Sequence, residues 1–279
     1  METWYLIITN WLPFGWAQYD FMKNALAAVL LVAPLFGLMG TMVVSNRMAF
    51  FSDSIGHAAL TGIAIGVLMG MDQPLLAMLV FSVFLALSIS AVRWSTAASA
   101  DTVIGVFSAS AVALGVVILS RGGGFARYSG YLVGDLLSIG TGEIALLVAL
   151  AVGVLIFWVL LYNSLFLSGL NSSLGRSRGI RVRLIETLFA VLLAIVVTVS
   201  IKWVGILIIN ALLVLPAAAA RNLANNTRSY HGYSFVIALV AGVTGLILSY
   251  YWDTATGATI VLVMAVGYFI TLLFHERVA

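Results

Sequence analysis

The chain alternates long apolar runs with short polar segments. A membrane-spanning helix needs about 20 apolar residues, because it rises about 1.5 Å per residue across a hydrocarbon core about 30 Å thick. Two of the connections between runs are so short that one run could instead be broken or re-entrant. The pattern predicts an all-α, polytopic integral membrane protein with eight or nine transmembrane helices. The candidate runs are residues 22–45, 49–71, 73–92, 101–120, 143–163, 184–201, 203–220, 234–251 and 256–274.

Composition supports the same class. Of 279 residues, 63% are hydrophobic and 8% are charged, whereas soluble domains carry about 25% charged residues. Membrane lipid is therefore the expected solvent. The chain has no cysteine, which excludes disulfides and thiolate metal sites. The net charge is +3 without a basic run, so no nucleic-acid partner is expected.

Three segments differ from the runs within what we predict to be a single transmembrane domain, residues 1–279. Residues 1–20 contain three tryptophans, and this predicts a lead-in at the membrane interface. Residues 121–142 contain seven glycines, which favours a re-entrant segment covered by protein. Residues 164–183 are polar and basic, and we expect this largest inner loop to dock a soluble partner.

The distribution of lysine and arginine predicts the orientation, because cytoplasmic loops are enriched in both. If the first run passes from outside to inside, nine of these residues lie inside and four lie outside. The inner set is Arg47, Arg93, Arg176, Arg178, Arg181, Arg183, Arg221, Arg228 and Arg277, and the outer set is Lys23, Arg121, Arg127 and Lys202.

Asp53 and His57 are the candidate metal ligands. They are four residues apart in the segment MAFFSDSIGHAALTGIAIG, so a helix places them on one face. Ionisable groups inside a span are costly and mark ion pathways, and a carboxylate with an imidazole suits Zn(II), Mn(II) or Fe(II). The alternative is that Ser52 or Asp53 caps the helix. Two ligands hold a metal poorly, but a twofold dimer would supply two Asp and two His.

Other polar groups carry weaker signals. Glu186 begins a span beside Arg183, which favours a paired charge at the interface. His231 falls in a predicted inner loop, and we assign it no role. The sequence has no Gly-Lys-Ser/Thr, so ATP hydrolysis would need another chain. It also lacks the Gly-x-Ser-x-Gly and His-Glu-x-x-His motifs, although a hydrolase that uses Ser54 with His57 stays formally open. We therefore expect a transport subunit and no enzyme.

Five segments resemble the permeases of ATP-binding-cassette importers for zinc, manganese and iron, closest to the bacterial zinc-uptake permease. These segments are MAFFSDSIGHAALTGIAIG, ADTVIGVFSASAVALGVVILS, YLVGDLLSIG, VGILIINALLVLPAAAARN and YWDTATGATIVL. The resemblance extends over about residues 25–270. It differs at Ser168–Asn171, where the family often has an aspartate, and at Thr256, where the family's last motif usually has Pro or Ala before glycine.

The resemblance implies a homodimer in the bacterial cytoplasmic membrane. It also implies a cytoplasmic ATPase and an extracytoplasmic metal-binding protein as partners. Asp53 and His57 match family residues that can ligate the transported ion, which would be cargo and not a resident cofactor. The family's ATPase-coupling segment aligns with about residues 165–180, which include Arg176 and Arg178. Zinc is the expected cargo, with manganese or iron as the alternative. A secondary metal transporter that works without ATP is a further alternative.

Overall fold

The computed structural model of the chain describes Tyr5, residues 14–122 and residues 130–275. In this part of the chain there is no β-strand, and nine helices are long and apolar enough to cross a membrane. They are α1 (Asp20–Ser45), α2 (Ala49–Leu68), α3 (Leu75–Ser95), α4 (Ala100–Gly122), α6 (Thr141–Leu170), α8 (Val182–Val204), α9 (Ile206–Leu223), α10 (Thr227–Trp252) and α11 (Thr256–His275).

Two short helices are also present in the described part of the chain. Helix α5 (Gly130–Val133) precedes a 3-10 turn at Leu136–Ser138, and α7 (Ser172–Ser177) lies between α6 and α8. Another 3-10 turn at Gly15–Gln18 precedes α1. The prediction of an all-helical membrane protein is confirmed, with nine candidate spans among the described residues.

The long helices pack in two groups. Helices α1, α9 and α10 contact one another, and α11 packs against α9 and α10. In the other group α2 packs against α3 and α4, and α8 packs against α3. Helix α2 joins the groups because it also contacts α8 and α9, while α6 lies across α1 and α8. Small residues permit the closest contacts: a Cβ added to Gly62 of α2 would lie 2.5 Å from the Cα of Met78 in α3. The bundle therefore forms around α1, α2 and α8, the helices with the most buried spans.

Several helix boundaries differ from the prediction. Helix α10 begins at Thr227, seven residues before the predicted run, so His231 lies in a helix and not in a loop. The predicted inner loop 164–183 is shorter, because α6 continues to Leu170 before the helical turn of α7 begins. In the predicted lead-in, Trp16 is buried against the protein, and most of residues 1–13 lie outside the described part. The predicted re-entrant segment also includes undescribed residues, 123–129, and stays a prediction.

A single residue, Gly205, joins α8 to α9. Its φ and ψ are 91° and 148°, a conformation that essentially only glycine adopts. The two helices diverge from this residue, because α8 packs against α3 and α6 whereas α9 packs against α1, α10 and α11. The chain after α5 crosses the junction, where Asp135 N donates to Lys202 O at 3.3 Å. Residues 130–140 therefore cover the point at which the two helices separate.

Candidate functional site

Asp53 and His57 lie side by side on α2. The His57 Nε2 atom is 3.6 Å from Asp53 Oδ2, which is long for a hydrogen bond. Two ligand atoms about 2.0–2.1 Å from a tetrahedral zinc ion would be about 3.4 Å apart. The observed separation therefore suits two ligands of one ion. The i,i+4 spacing produces this arrangement because both side chains project from the same face of the helix.

The capping alternative does not agree with this geometry. Helix α2 begins at Ala49, and its N-cap residue is Met48, with no side-chain capping bond. Ser52 Oγ instead lies 2.8 Å from Ala49 O and 2.6 Å from Asn210 Oδ1 of α9. Asp53 is the fifth residue of the helix, one turn past the position at which a cap acts. Its carboxylate is therefore free of a capping role.

The hydrolase alternative also lacks its geometry. Ser54 is buried, and its hydroxyl has no hydrogen-bond partner among the described residues. A serine nucleophile needs a base within hydrogen-bond reach. His57 therefore does not activate Ser54 in this structure.

Asp53 and His57 belong to an outward-facing stripe of α2. The exposed fractions of their side chains are 42% and 34%. Phe50, one turn before Asp53, is 67% exposed, and Leu60 beyond His57 is half-buried. An exposed carboxylate within a span cannot face hydrocarbon cheaply, since burial there costs about 2.5–3.5 kcal/mol. This face therefore needs a polar or protein neighbour.

The adjacent helix α4 presents small residues to the outside. Gly105, Ala109 and Ala113 follow one another at spacing four, and all three are exposed. A Cβ added at Gly105 would meet no atom within 4 Å. Small residues at this spacing allow close helix contact in lipid. Helices α2 and α4 pack together extensively, so the polar stripe and the small-residue stripe belong to neighbouring helices.

No third ligand accompanies the pair in the described part of the chain. A search for groups of three or more His, Cys, Asp or Glu that could hold a metal finds none among these residues. Within one chain the candidate site therefore offers one carboxylate and one imidazole. Structural zinc sites usually have four ligands.

The basic segment after α6 forms a second candidate site. The side chain of Asn171 caps α7 by accepting bonds from Ser173 N and Leu174 N at 2.9 and 3.1 Å. Arg176 lies in the last turn of this helix, Arg178 follows it, and both are exposed. The segment 171–181 thus presents cationic side chains on a short, capped helix.

The α7 segment is connected to the turn that leads into α2. A Cβ added at Gly169, at the end of α6, would lie 2.6 Å from Asn46 Oδ1. Asn46 Nδ2 in turn donates to Met42 O at 2.8 Å. Seven residues after Asn46 comes Asp53. One tertiary contact and seven residues of chain therefore connect the two candidate sites.

A polar groove of about 510 Å³ lies at this junction, lined by residues of the α1–α2 turn, the end of α3, the α6–α7 junction and the start of α8. Glu186 lines the groove and pairs with Arg93 at 3.8 Å. The prediction that Glu186 is a paired charge is confirmed, but its partner comes from α3 and is not the neighbouring Arg183.

The sequence did not reveal the role of His231. Its Nδ1 lies 2.7 Å from Thr41 Oγ1, and its Nε2 lies 2.9 Å from Tyr162 Oη. Because the Thr41 hydroxyl donates to Leu38 O at 2.6 Å, it accepts from His231, and Nε2 is then free to accept from Tyr162. The imidazole joins α1, α6 and α10. One sequence signal could have suggested that the helix begins before residue 234. Polar residues at i,i+4 spacing directly precede the apolar run.

Comparison with known proteins decides the family. The model of the ABC 3 transport family matches residues 18–275. The chain belongs to the ABC 3 transport family. It is a multi-pass protein of the bacterial cytoplasmic membrane and a transport component, not an enzyme.

Three relatives of this ABC 3 family member are similar to it over almost the whole chain. The high-affinity zinc uptake system membrane protein ZnuB of Haemophilus influenzae is 30% identical over 93% of this chain and 100% of its own length. The manganese transport system membrane protein MntC of Listeria monocytogenes is 28% identical over 94% of each chain. The solved structure of PsaBC from Streptococcus pneumoniae in complex with Fab matches with a TM-score of 0.80 and 25% identity, over 97% of this chain and 95% of that one.

Proposed function

We propose that the chain is the membrane permease of an ATP-driven importer of divalent transition-metal ions, with Zn²⁺ as cargo. The observation that carries this proposal is the Asp53–His57 pair at 3.6 Å on the exposed stripe of α2. A pathway residue must contact the passing ion and then release it, so an incomplete ligand set suits transport better than permanent binding. The transported metal is cargo, and we infer no resident cofactor.

We further propose that the permease is a homodimer in which α2 faces its twofold mate. The outward position of Asp53 and His57 supports this arrangement, because a second copy would cover both polar groups and keep them out of lipid. It would also add a second carboxylate and a second imidazole to give four ligands. The small exposed residues of α4 would permit the close approach of the two copies.

Zinc is the preferred cargo for two reasons. Four ligands, two oxygen and two nitrogen, without thiolates suit a tetrahedral zinc ion that must later be released. Manganese prefers oxygen ligands in octahedral sites. A site with as many imidazole nitrogens as carboxylates therefore suits manganese less well than zinc. The relatives include both a zinc uptake protein and a manganese transport protein. Mn²⁺ and Fe²⁺ therefore remain the alternative cargo.

The proposed partners are a cytoplasmic ATPase and an extracytoplasmic metal-binding protein. The chain has no phosphate-binding loop of its own, so a separate subunit must hydrolyse ATP. The ABC 3 family membership supports this division of labour. The basic α7 segment is the proposed ATPase contact, and its link to the α1–α2 turn gives ATP-driven movement a route to α2.

Uptake into vesicles tests the proposed function. We expect purified permease with its ATPase to accumulate Zn²⁺ only when ATP is present, and neither to hydrolyse ATP nor to drive uptake without the ATPase. The assay should measure uptake of Zn²⁺, Mn²⁺ and Fe²⁺ in competition. Faster uptake of Mn²⁺ at equal concentration would replace zinc by manganese as cargo. Uptake that needs no ATP would instead support a secondary transporter.

Charge reversal tests the proposed ATPase contact. Arg176→Glu combined with Arg178→Glu should weaken capture of the ATPase roughly tenfold, because each exposed ion pair contributes up to about 1 kcal/mol. Membrane insertion should be unchanged. Arg228→Glu is the matched control, since Arg228 is also exposed and predicted to be cytoplasmic. Equal capture by the double variant and the control would show that the contact lies elsewhere.

A further inference from the structure

A second groove, of about 520 Å³, lies between the end of α3, the α7 segment and the start of α8. Its wall combines arginines with apolar side chains. The lining residues are Trp94, Arg176, Ile180, Arg181, Val182, Arg183, Leu184 and Thr187. We refer to it as the arginine groove.

The arginine groove carries positive charge that is only partly balanced: Glu186 attracts Arg176 at longer range, but no carboxylate of the described residues forms an ion pair with Arg181 or Arg183. The ion pairs between side chains of the described residues are Lys23–Asp20, His57–Asp53, Arg93–Glu186 and Lys202–Glu143. None of them includes an arginine of the groove. Arg181 and Arg183 are both exposed. The groove therefore offers guanidinium groups to an anionic ligand, and guanidinium forms bidentate bonds with phosphate.

The position of the groove selects the kind of anion. Leu184 and Thr187 belong to the membrane-spanning helix α8, and Leu184 is 48% exposed. The exposed side chain of Leu188 continues the apolar surface one turn farther along α8. Trp94 lies at the end of the α3 span, where indole rings typically meet lipid headgroups. Arginines at the membrane surface, followed by apolar side chains along the span, thus match the charged headgroup and the acyl chain of a phospholipid.

We propose that the arginine groove binds an anionic phospholipid of the inner leaflet. Arg181 and Arg183 contact its phosphate and headgroup, and an acyl chain lies along Leu184 and Leu188. The proposal rests on the membrane orientation but not on the identity of the transported metal. A soluble ATPase is the weaker candidate, because the apolar wall continues into the span, where a cytoplasmic protein does not reach. Arg176 lies on α7 itself, so both the lipid and the ATPase could contact it.

Native mass spectrometry of the purified full chain tests this proposal. The probes are phosphatidylglycerol and phosphatidylcholine with the same acyl chains, offered in equal amounts. We expect retention of phosphatidylglycerol over phosphatidylcholine by the unsubstituted protein. Because each arginine near an anionic lipid surface contributes a factor of about five in affinity, Arg181→Gln with Arg183→Gln should reduce phosphatidylglycerol retention about 25-fold. Arg228→Gln, an exposed arginine outside the groove, should leave retention unchanged.

Three outcomes would overturn the proposal. The first is equal retention of the two lipids by the unsubstituted protein, a measurement that needs no variant. The second is unchanged phosphatidylglycerol retention in the double variant. The third is loss of ATPase capture in that variant with lipid retention intact, which would assign the groove to the ATPase. If the double glutamine variant fails to fold, Arg181→Lys with Arg183→Lys keeps the charge and should retain selectivity while binding more weakly.

Discussion

Asp53→Ala and His57→Ala should each reduce ATP-driven metal uptake at least about 100-fold, because losing even a residue that only orients a metal ligand costs about 10–100-fold. Both substitutions remove a proposed ligand and leave the helix intact, because neither side chain caps α2. The amount of protein in the membrane should therefore stay the same. Radiometal uptake into vesicles, divided by the permease content of those vesicles, measures the effect.

Asp53→Asn separates ligation from packing. Asparagine keeps the size of the side chain and loses the charge, and it caps helices about as well as aspartate. We expect uptake to fall nearly as far as in Asp53→Ala. Asp101→Ala is the control, because Asp101 is an exposed acid in the first turn of α4. Normal uptake in Asp53→Asn together with normal uptake in His57→Ala would make the pair structural.

The proposed site shared between two copies has a geometric consequence that cross-linking can detect. If α2 faces its mate, a cysteine in place of Leu60, one turn beyond His57, lies near the same residue of the second copy. The chain has no native cysteine, so every thiol cross-link must form through the introduced cysteine. A short thiol cross-linker should give a covalent dimer with Leu60→Cys and none with Val159→Cys, a position on α6 that is 81% exposed and lies outside the proposed interface. Monomer alone with Leu60→Cys would place α2 away from the twofold axis.

Hydrophobic periodicity predicted the spans because the bilayer demands long apolar runs. It failed at the start of α10, where residues 227–233 contain several polar groups. These groups are helical because partners distant in the sequence satisfy them: His231 bonds to Thr41 and Tyr162. The partner of Glu186 could not be predicted for the same reason, since Arg93 is brought to it only by the packing of α3 against α8.

The candidate ligands were accessible to sequence reasoning because their spacing is local. Four residues of helix place Asp53 beside His57 whatever the tertiary fold. Their exposure on the bundle surface was not accessible, because it depends on which faces of α2 are covered by α3, α4, α8 and α9. The contact of Gly169 with Asn46 is likewise tertiary. The pairing of two side chains close in the sequence was therefore predictable, whereas the tertiary contacts between the two candidate sites were not.

Gly205→Ala prevents the correct junction of α8 with α9 and strongly reduces folded permease. A Cβ at Gly205 would lie 2.7 Å from Gly134 N and closer still to the carbonyl group of Val133. These are backbone atoms, which cannot move aside as a flexible side chain can. The φ of 91° adds backbone strain for any residue with a Cβ. We expect a loss of about 2–4 kcal/mol in the free energy of unfolding.

Gly153→Ala is the matched control for Gly205→Ala. Gly153 lies within α6, and a Cβ there would meet no atom within 4 Å. This change should be neutral or should stabilise the helix by up to about 1 kcal/mol. Gly205→Asn should not rescue the junction, because ψ at Gly205 is 148°, far from the left-handed helical region that asparagine tolerates. Thermal unfolding in detergent, followed by size-exclusion chromatography, compares the variants. If Gly205→Ala unfolds at the same temperature as Gly153→Ala, the chain after α5 does not press against the α8–α9 junction.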